Sequence, residues 1–299
     1  MAISRKDFIK TSAFGALGVL FTGNILKAEE NPFVKLKGNL YTYNKSGGTI
    51  LIYQSKQALV VVDSQFPQNV ESFIPHFNLS ETRKIDFLIN THHHGDHTGG
   101  NQILGPFSKK MVAHKRVPEL LTQLAKDANK EPGFIPTTTF DATWKQDIGD
   151  DTIHAYHFGP AHTGGDAVIY FEKSGIAHTG DLVFNNAHPN IDRKAGASIE
   201  NWIVYLNKTI ETLPKETIYV FGHAAGTLPN HGNYESVYRF HDYLSAVLEK
   251  AKSAVSKGMS REEFTTDPTL EGFEDVQTVS KRLNLSFVLG IAWDEVSKV

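Results

Sequence analysis

Between residues 91 and 101 the chain reads Thr-His-His-His-Gly-Asp-His-Thr-Gly-Gly-Asn, and His92, His94, Asp96 and His97 form within it the pattern H-x-H-x-D-H. Imidazole nitrogen and carboxylate oxygen are the donors that a borderline divalent cation such as zinc prefers, and four within six residues is denser than a structural role requires. In an extended turn His92 and His94 project to one side and His93 to the other, so two imidazoles can share one ion. Gly95 permits a sharp bend, which swings Asp96 and His97 toward a second ion at the start of a helix expected near Gly99 to Leu104. Ile85-Asp86-Phe87-Leu88-Ile89, just upstream, is a short apolar run of strand type, so the cluster leaves a strand at its C-terminal end. The pattern predicts two bound cations.

Three further residues repeat this arrangement. His162 lies in Gly159-Pro160-Ala161-His162-Thr163-Gly164-Gly165-Asp166, between expected strands at 152–158 and 167–171. Asp181 follows the strand-like Ala177-His178-Thr179-Gly180, and His223 ends Ile218-Tyr219-Val220-Phe221-Gly222. Each stands where a strand gives way to a glycine-containing loop, the place where functional groups gather on a rigid scaffold.

With these residues in this order, the chain resembles the metallo-β-lactamase-fold hydrolases, from about the Asn39 to Ile52 region through His223. The resemblance implies a four-layer αββα sandwich of the α/β class. It also implies a first cation held by His92, His94 and His162, a second held by Asp96, His97 and His223, and Asp181 bridging both. Asp63, at the end of Ala58-Leu59-Val60-Val61-Val62, matches the family's early acidic motif, which supports the ligands from behind; the alternative is a turn-initiating aspartate before Ser64. Two zinc ions are expected, with iron or manganese as substitutes.

The implied chemistry is hydrolysis of a small ester, thioester, lactone or amide by a hydroxide shared between the cations, one ion polarising the scissile carbonyl and the other holding the leaving group. Asp96 is the expected catalytic side chain, orienting the water. No Gly-x-Ser-x-Gly elbow offers a protein nucleophile. Phe66, Phe184 and His188 are the candidate pocket residues, because apolar walls with few polar groups suit a small ligand. His93, His154, His157, His76, His114, His231 and His241 are read as structural, while His178 brackets the Asp181 loop and is left open.

The sequence contains no cysteine, which excludes disulfides and thiolate ligands and leaves nitrogen and oxygen for both cations. The β-lactamase subclasses with a cysteine ligand are thereby excluded. A bridging aspartate is similar to that of glyoxalase II and the lactonases, although the tyrosine that lactonases carry three residues further on is Phe184 here. The closest character is that of exported hydrolases of the quinoprotein-relay type. Class B β-lactamase-like activity and an iron-dependent sulfur dioxygenase or redox enzyme on the same scaffold are the alternatives.

A formal net charge of −3 gives no basic excess, so a phosphate-neutralising surface for nucleic acid has no support, and a small molecule is the expected partner. Residues 1–28 resemble an export signal: Ser4-Arg5-Lys6-Asp7-Phe8-Ile9-Lys10 is twin-arginine-like with lysine in the second place, and a mostly apolar stretch to Leu26 follows. Export predicts a periplasmic or secreted protein with no stable membrane insertion once the signal is removed. Oligomeric state is not encoded in any motif.

The remainder, 32–299, reads as one catalytic domain. Expected strands lie at 36–43, 48–54 and 57–63, expected helices at 117–126, 198–212 and 234–256. A C-terminal helical extension is expected over about 258–299, with helices at 260–264 and 276–296.

Overall fold

The computed structural model describes residues 32–297. The export-signal reading of residues 1–28 lies outside the described residues, as do residues 298 and 299. A seven-stranded sheet runs in sequence order β1 (Phe33–Lys37), β2 (Leu40–Tyr43), β3 (Ile50–Gln54), β4 (Leu59–Val62), β5 (Ile85–Ile89), β6 (Ser108–His114) and β7 (Thr138–Phe140). The first four strands form an antiparallel meander, and β4 through β7 are parallel. A six-stranded sheet follows, ordered β15-β13-β11-β10-β9-β8, from β8 (Thr143–Asp147), β9 (Thr152–Tyr156), β10 (Val168–Phe171), β11 (Ile176–His178), β13 (Ile218–Val220) and β15 (His231–Gly232). Two short strands, β12 (Phe184–Asn185) and β14 (His223–Ala224), pair in parallel.

Strand periodicity builds the layers. Val60 and Val62 of β4 belong to a core shared with Ile153, Ile169 and Phe171 of the second sheet. Their neighbours Leu59 and Val61 pack the other way, on Val70, Phe73 and Leu104 of the short helical turns outside. On β10, Ile169 and Phe171 face the first sheet while Val168 and Tyr170 join a core with Trp202, Leu206, Leu244 and Val247 from the helices Ile199–Thr212 and Tyr234–Ser256. Alternate residues of each central strand therefore feed different cores, and helix, sheet, sheet and helix stack as four layers. This is the expected αββα architecture.

Several boundaries differ from expectation. Residues 36–43 are two strands, because Gly38 adopts φ 55 in a tight turn and folds β1 back on β2. The region near Gly99 to Leu104 is two single turns, Gly95–Thr98 and Asn101–Leu104. The last helix spans Leu285–Ser297 rather than 276–296, since Asn284 Oδ1 accepts the Phe287 amide at 2.9 Å and starts it there. Residues just before it run irregularly, with Gln277 bridged to Ala187. The 261–265 helix begins on a Ser260–Glu263 capping box. Among the described residues no helix is long and apolar enough to cross a membrane.

Candidate metal centre

The predicted donors meet at one edge of the sandwich, where β5, β9 and β11 all end. His92, His94, Asp96 and His97 follow β5, His162 lies in the loop after β9, and Asp181 follows β11. His223 stands just beyond the end of β13, after Phe221 and Gly222. It opens β14, whose pairing with β12 sets it beside Phe184, and the two rings stack at 5.4 Å and 18°.

Two groups of donors result. In the first, His94 Nδ1 is 3.2 Å from His92 Nε2 and 2.9 Å from His162 Nε2, and Asp181 Oδ2 lies 3.4 Å from His162 Nε2. The outward nitrogens decide what faces inward. His162 Nδ1 donates to the Asn190 carbonyl at 2.8 Å, and His94 Nε2 to Asp192 Oδ2 at 3.0 Å. The Thr91 hydroxyl gives its proton to Asp63 Oδ2 and so accepts from His92 Nδ1 at 3.1 Å. Each imidazole thus spends its one neutral-state proton outward, and three lone pairs point at a common centre.

The second group is Asp96, His97 and His223. His223 Nε2 is 3.1 Å from Asp96 Oδ2 and 3.4 Å from Asp181 Oδ1, while His97 Nε2 is 2.9 Å from the same Asp181 oxygen. Asp181 therefore offers one oxygen to each group. His97 Nδ1 is 2.7 Å from Asp63 Oδ2, which must accept, so its proton also points outward. His97 Nε2 and Asp181 Oδ1 are buried with no hydrogen-bond partner among the described residues. Buried polar atoms are ordinarily paired, and two such acceptors turned on each other call for positive charge between them.

The electrostatics agree. Burial disfavours charge on His97, yet the Asp181, Asp63 and Asp96 carboxylates outweigh it and hold its pKa well above the ordinary value. His223 is raised in the same way to about 9, against its burial, by Asp181 and Asp96. Burial instead pulls His92 well down and His162 to about 3, leaving both as neutral donors. These groups fit divalent cations, and the donor sets around His92 and around His97 could each hold one.

Among the candidate pocket residues, Phe66 and Phe184 line a cavity of about 850 Å³ above the cluster, together with Asp96, Asp181 and His223. His188 does not. It is buried elsewhere, with Nδ1 2.8 Å from the Tyr243 hydroxyl. His178 lies behind the site, accepting the Gly180 amide and donating to the Thr49 carbonyl at 2.8 Å, which fixes the loop carrying Asp181. His93 points away from both groups as expected, but it is buried, with Nε2 3.8 Å from Asp192 Oδ2.

Asp192 is the residue that sequence reasoning missed. It reaches His94 across 98 positions, and Asn190-Ile191-Asp192 carries no ligand spacing that would mark it. Gly48 was missed as well: a Cβ there would overlap the His97 imidazole.

Residues 44–223 match the family model of the metallo-beta-lactamase superfamily. The chain is 23% identical over 239 residues to a hydroxyacylglutathione hydrolase of Dictyostelium discoideum, covering 74% of this chain and 81% of that one. It is also 23% identical over 169 residues to the 2,4-dinitroanisole O-demethylase subunit alpha of Nocardioides sp. (strain JS1661), covering 52% of this chain and 47% of the relative, so it spans about half that subunit's length. Among solved structures, a metallo-beta-lactamase from Pontibacter korlensis superposes with a TM-score of 0.58 at 21% identity, over 71% of this chain and 98% of that one, a likeness of fold. With its fold, its histidine and aspartate groups and the family match over residues 44–223 in agreement, the chain belongs to the metallo-beta-lactamase superfamily.

Proposed function

We propose that the protein hydrolyses a small ester, thioester, lactone or amide at a pair of divalent cations, zinc being the ion best matched to nitrogen and carboxylate donors without thiolate. His92, His94 and His162 would hold one ion, Asp96, His97 and His223 the other, with Asp181 between them. The observation that carries this reading is the buried, partnerless pair His97 Nε2 and Asp181 Oδ1, 2.9 Å apart. When bound, such cations supply Lewis acidity toward a carbonyl oxygen and lower the pKa of water toward neutrality.

The chain's own groups do the rest. Asp96 faces the cavity, and His97 and His223 hold its carboxyl at about 2 against the effect of burial. It stays ionised at neutral pH and can accept a hydrogen bond from the attacking water, fixing its direction. Phe66 and Phe184 give the cavity apolar surface, which strengthens electrostatic interactions at its floor.

Native isolation followed by elemental analysis, with a chromogenic panel covering the four substrate classes, tests the reading. Two equivalents of zinc and turnover of at least one class are expected. Protein free of metal, or metal-replete protein inert toward all four classes, would overturn it. An exported location belongs to the same reading and is supported by the Ser4–Lys10 motif; N-terminal sequencing of secreted material should find a chain starting near residue 28.

A further inference from the structure

The floor of the cavity is the donor cluster, but its walls come from the C-terminal part of the chain. Val279, Leu283, Phe287 and Ile291 recur at four-residue steps and all line it, the last two from one face of the Leu285–Ser297 helix. Three exposed residues of the lining have another character, Arg193, Lys194 and Arg282. Arg193 is committed to Glu295 at 2.9 Å and to the Ala197 carbonyl. Arg282 has one neutral acceptor, Asn190 Oδ1 at 3.2 Å, and among the described residues no carboxylate pairs with it or with Lys194. The acids of the lining, Asp96, Asp181 and Asp192, all face histidines at the floor rather than the rim. The cavity therefore has a donor cluster at one end, an apolar wall and, in Lys194 and Arg282, two rim cations that no carboxylate among the described residues pairs.

We propose that this cavity takes an amphiphilic anion: an ester or thioester whose straight acyl chain lies along Leu283, Phe287 and Ile291 and ends in a carboxylate held by Arg282 and Lys194. This rests on the hydrolase reading and names its substrate class. Water oxygen bonds to the acyl carbon, the acyl C–O or C–S bond breaks, one proton from water ends on the departing alcohol or thiol and the other is released to solvent. The acyl product is a dicarboxylate. Apolar area on the wall and unpaired cations on the rim select for both halves of such a molecule, whereas a short neutral ester uses neither.

The test compares p-nitrophenyl monoesters of straight dicarboxylic acids, hexanedioic to dodecanedioic, with the matching p-nitrophenyl alkanoates on the metal-replete full chain. In the dicarboxylate series kcat/KM should rise about fourfold per methylene, the equivalent of ~0.8 kcal/mol for each CH₂ removed from water. The longer dicarboxylate esters should outrun their alkanoate partners about tenfold, as two exposed ion pairs at the upper end of their usual worth allow. In the double variant Lys194→Gln/Arg282→Gln that ratio should collapse toward one.

A flat chain-length dependence, or a ratio unmoved in the double variant, overturns the proposal. Calorimetric titration with decanedioate separates it from the hydrolase reading. If every ester is inert but decanedioate binds, and binds about tenfold more weakly to the double variant, catalysis by this centre fails and the cavity assignment stands. If esters turn over without preference and decanedioate does not bind, the hydrolase reading stands and this inference falls.

Discussion

Asp63 Oδ2 lies 2.7 Å from His97 Nδ1, and the same carboxylate accepts the Thr91 amide and the Thr91 hydroxyl at 2.8 Å each. The residue adopts φ 66, a region that aspartate and asparagine tolerate, so Asp63→Asn should keep the backbone. An amide nitrogen facing Nδ1 would reverse the His97 tautomer and put a proton on Nε2, where a cation is to bind. Affinity for the second ion should fall about 10- to 100-fold, as for other supporting carboxylates. Titration against a competing chelator, with circular dichroism as the control for folding, would detect it; unchanged affinity would mean that the Asp63 contact does not set the tautomer.

The approach of Gly48 to His97 predicts a different failure. A methyl group there meets the imidazole, and Gly48 is pinned through its amide to the Asp96 carbonyl at 3.1 Å. In Gly48→Ala the ring must move, so bound metal should drop from two equivalents toward one by elemental analysis. Hydrolytic activity should fall at least tenfold, a loss of ~1.4 kcal/mol in transition-state stabilisation.

Asp192 stands behind the other donor group, at His94. Its hydrogen bond holds the His94 proton on Nε2, and the His94 contact is also what keeps the Asp192 carboxyl at about 2. Asp192→Ala should weaken the first site by about 10- to 100-fold while leaving the His97 site filled at higher metal. Two-phase metal titration would resolve the two affinities.

Glu295 ties the last helix to the start of the Ile199–Thr212 helix. It accepts from the Ser198 hydroxyl at 2.8 Å, from the Ile199 and Glu200 amides at 3.0 and 3.1 Å, and pairs with Arg193. These amides are free helix-terminal donors that favour a nearby negative charge. Glu295→Ala should lower stability by about 2 kcal/mol, the combined worth of a cap and a charged hydrogen bond. Urea unfolding would show it as a lower midpoint with unchanged slope.

His114 stacks on His157 at 3.7 Å and 12°, away from the cation cluster. Burial, reinforced by the His157 neighbour, pulls the His114 pKa from 6.5 down to about 4. Above pH 6.5 neither folded nor unfolded chain carries this proton, so the pair has no effect there. Between 6.5 and 4 the unfolded chain is protonated first, and stability falls with pH by about 1.4 kcal/mol per unit for this group. His114→Gln should remove that share of the acid sensitivity in unfolding measured from pH 7 to 5. A slope identical to wild type would place the proton uptake elsewhere.

How far the sequence reached depended on the range of the interaction involved. The strand at 85–89 and the helices near 117–126, 198–212 and 234–256 were legible because apolar period and capping residues act over a few positions. The C-terminal wall was misjudged for the same reason: 276–284 has helix-compatible residues, but Asn284 starts the helix and Gln277 is drawn to Ala187. His188 looked like a pocket residue from its place near the Asp181 loop, yet its partner is Tyr243, 55 positions away.

The sequence by itself determined the donor inventory: three dense histidines and an aspartate after one strand, three more donors at later strand ends, and no sulfur. Those are properties of residue type and local order. Only tertiary structure decided which nitrogen of His94, His97 and His162 faces inward, since Asp192, Asp63 and Asn190 take the outward protons from distant parts of the chain. It also decided what stands over the centre. The apolar wall and the basic rim come together because the last helix packs back across the sandwich, and no local pattern encodes that return.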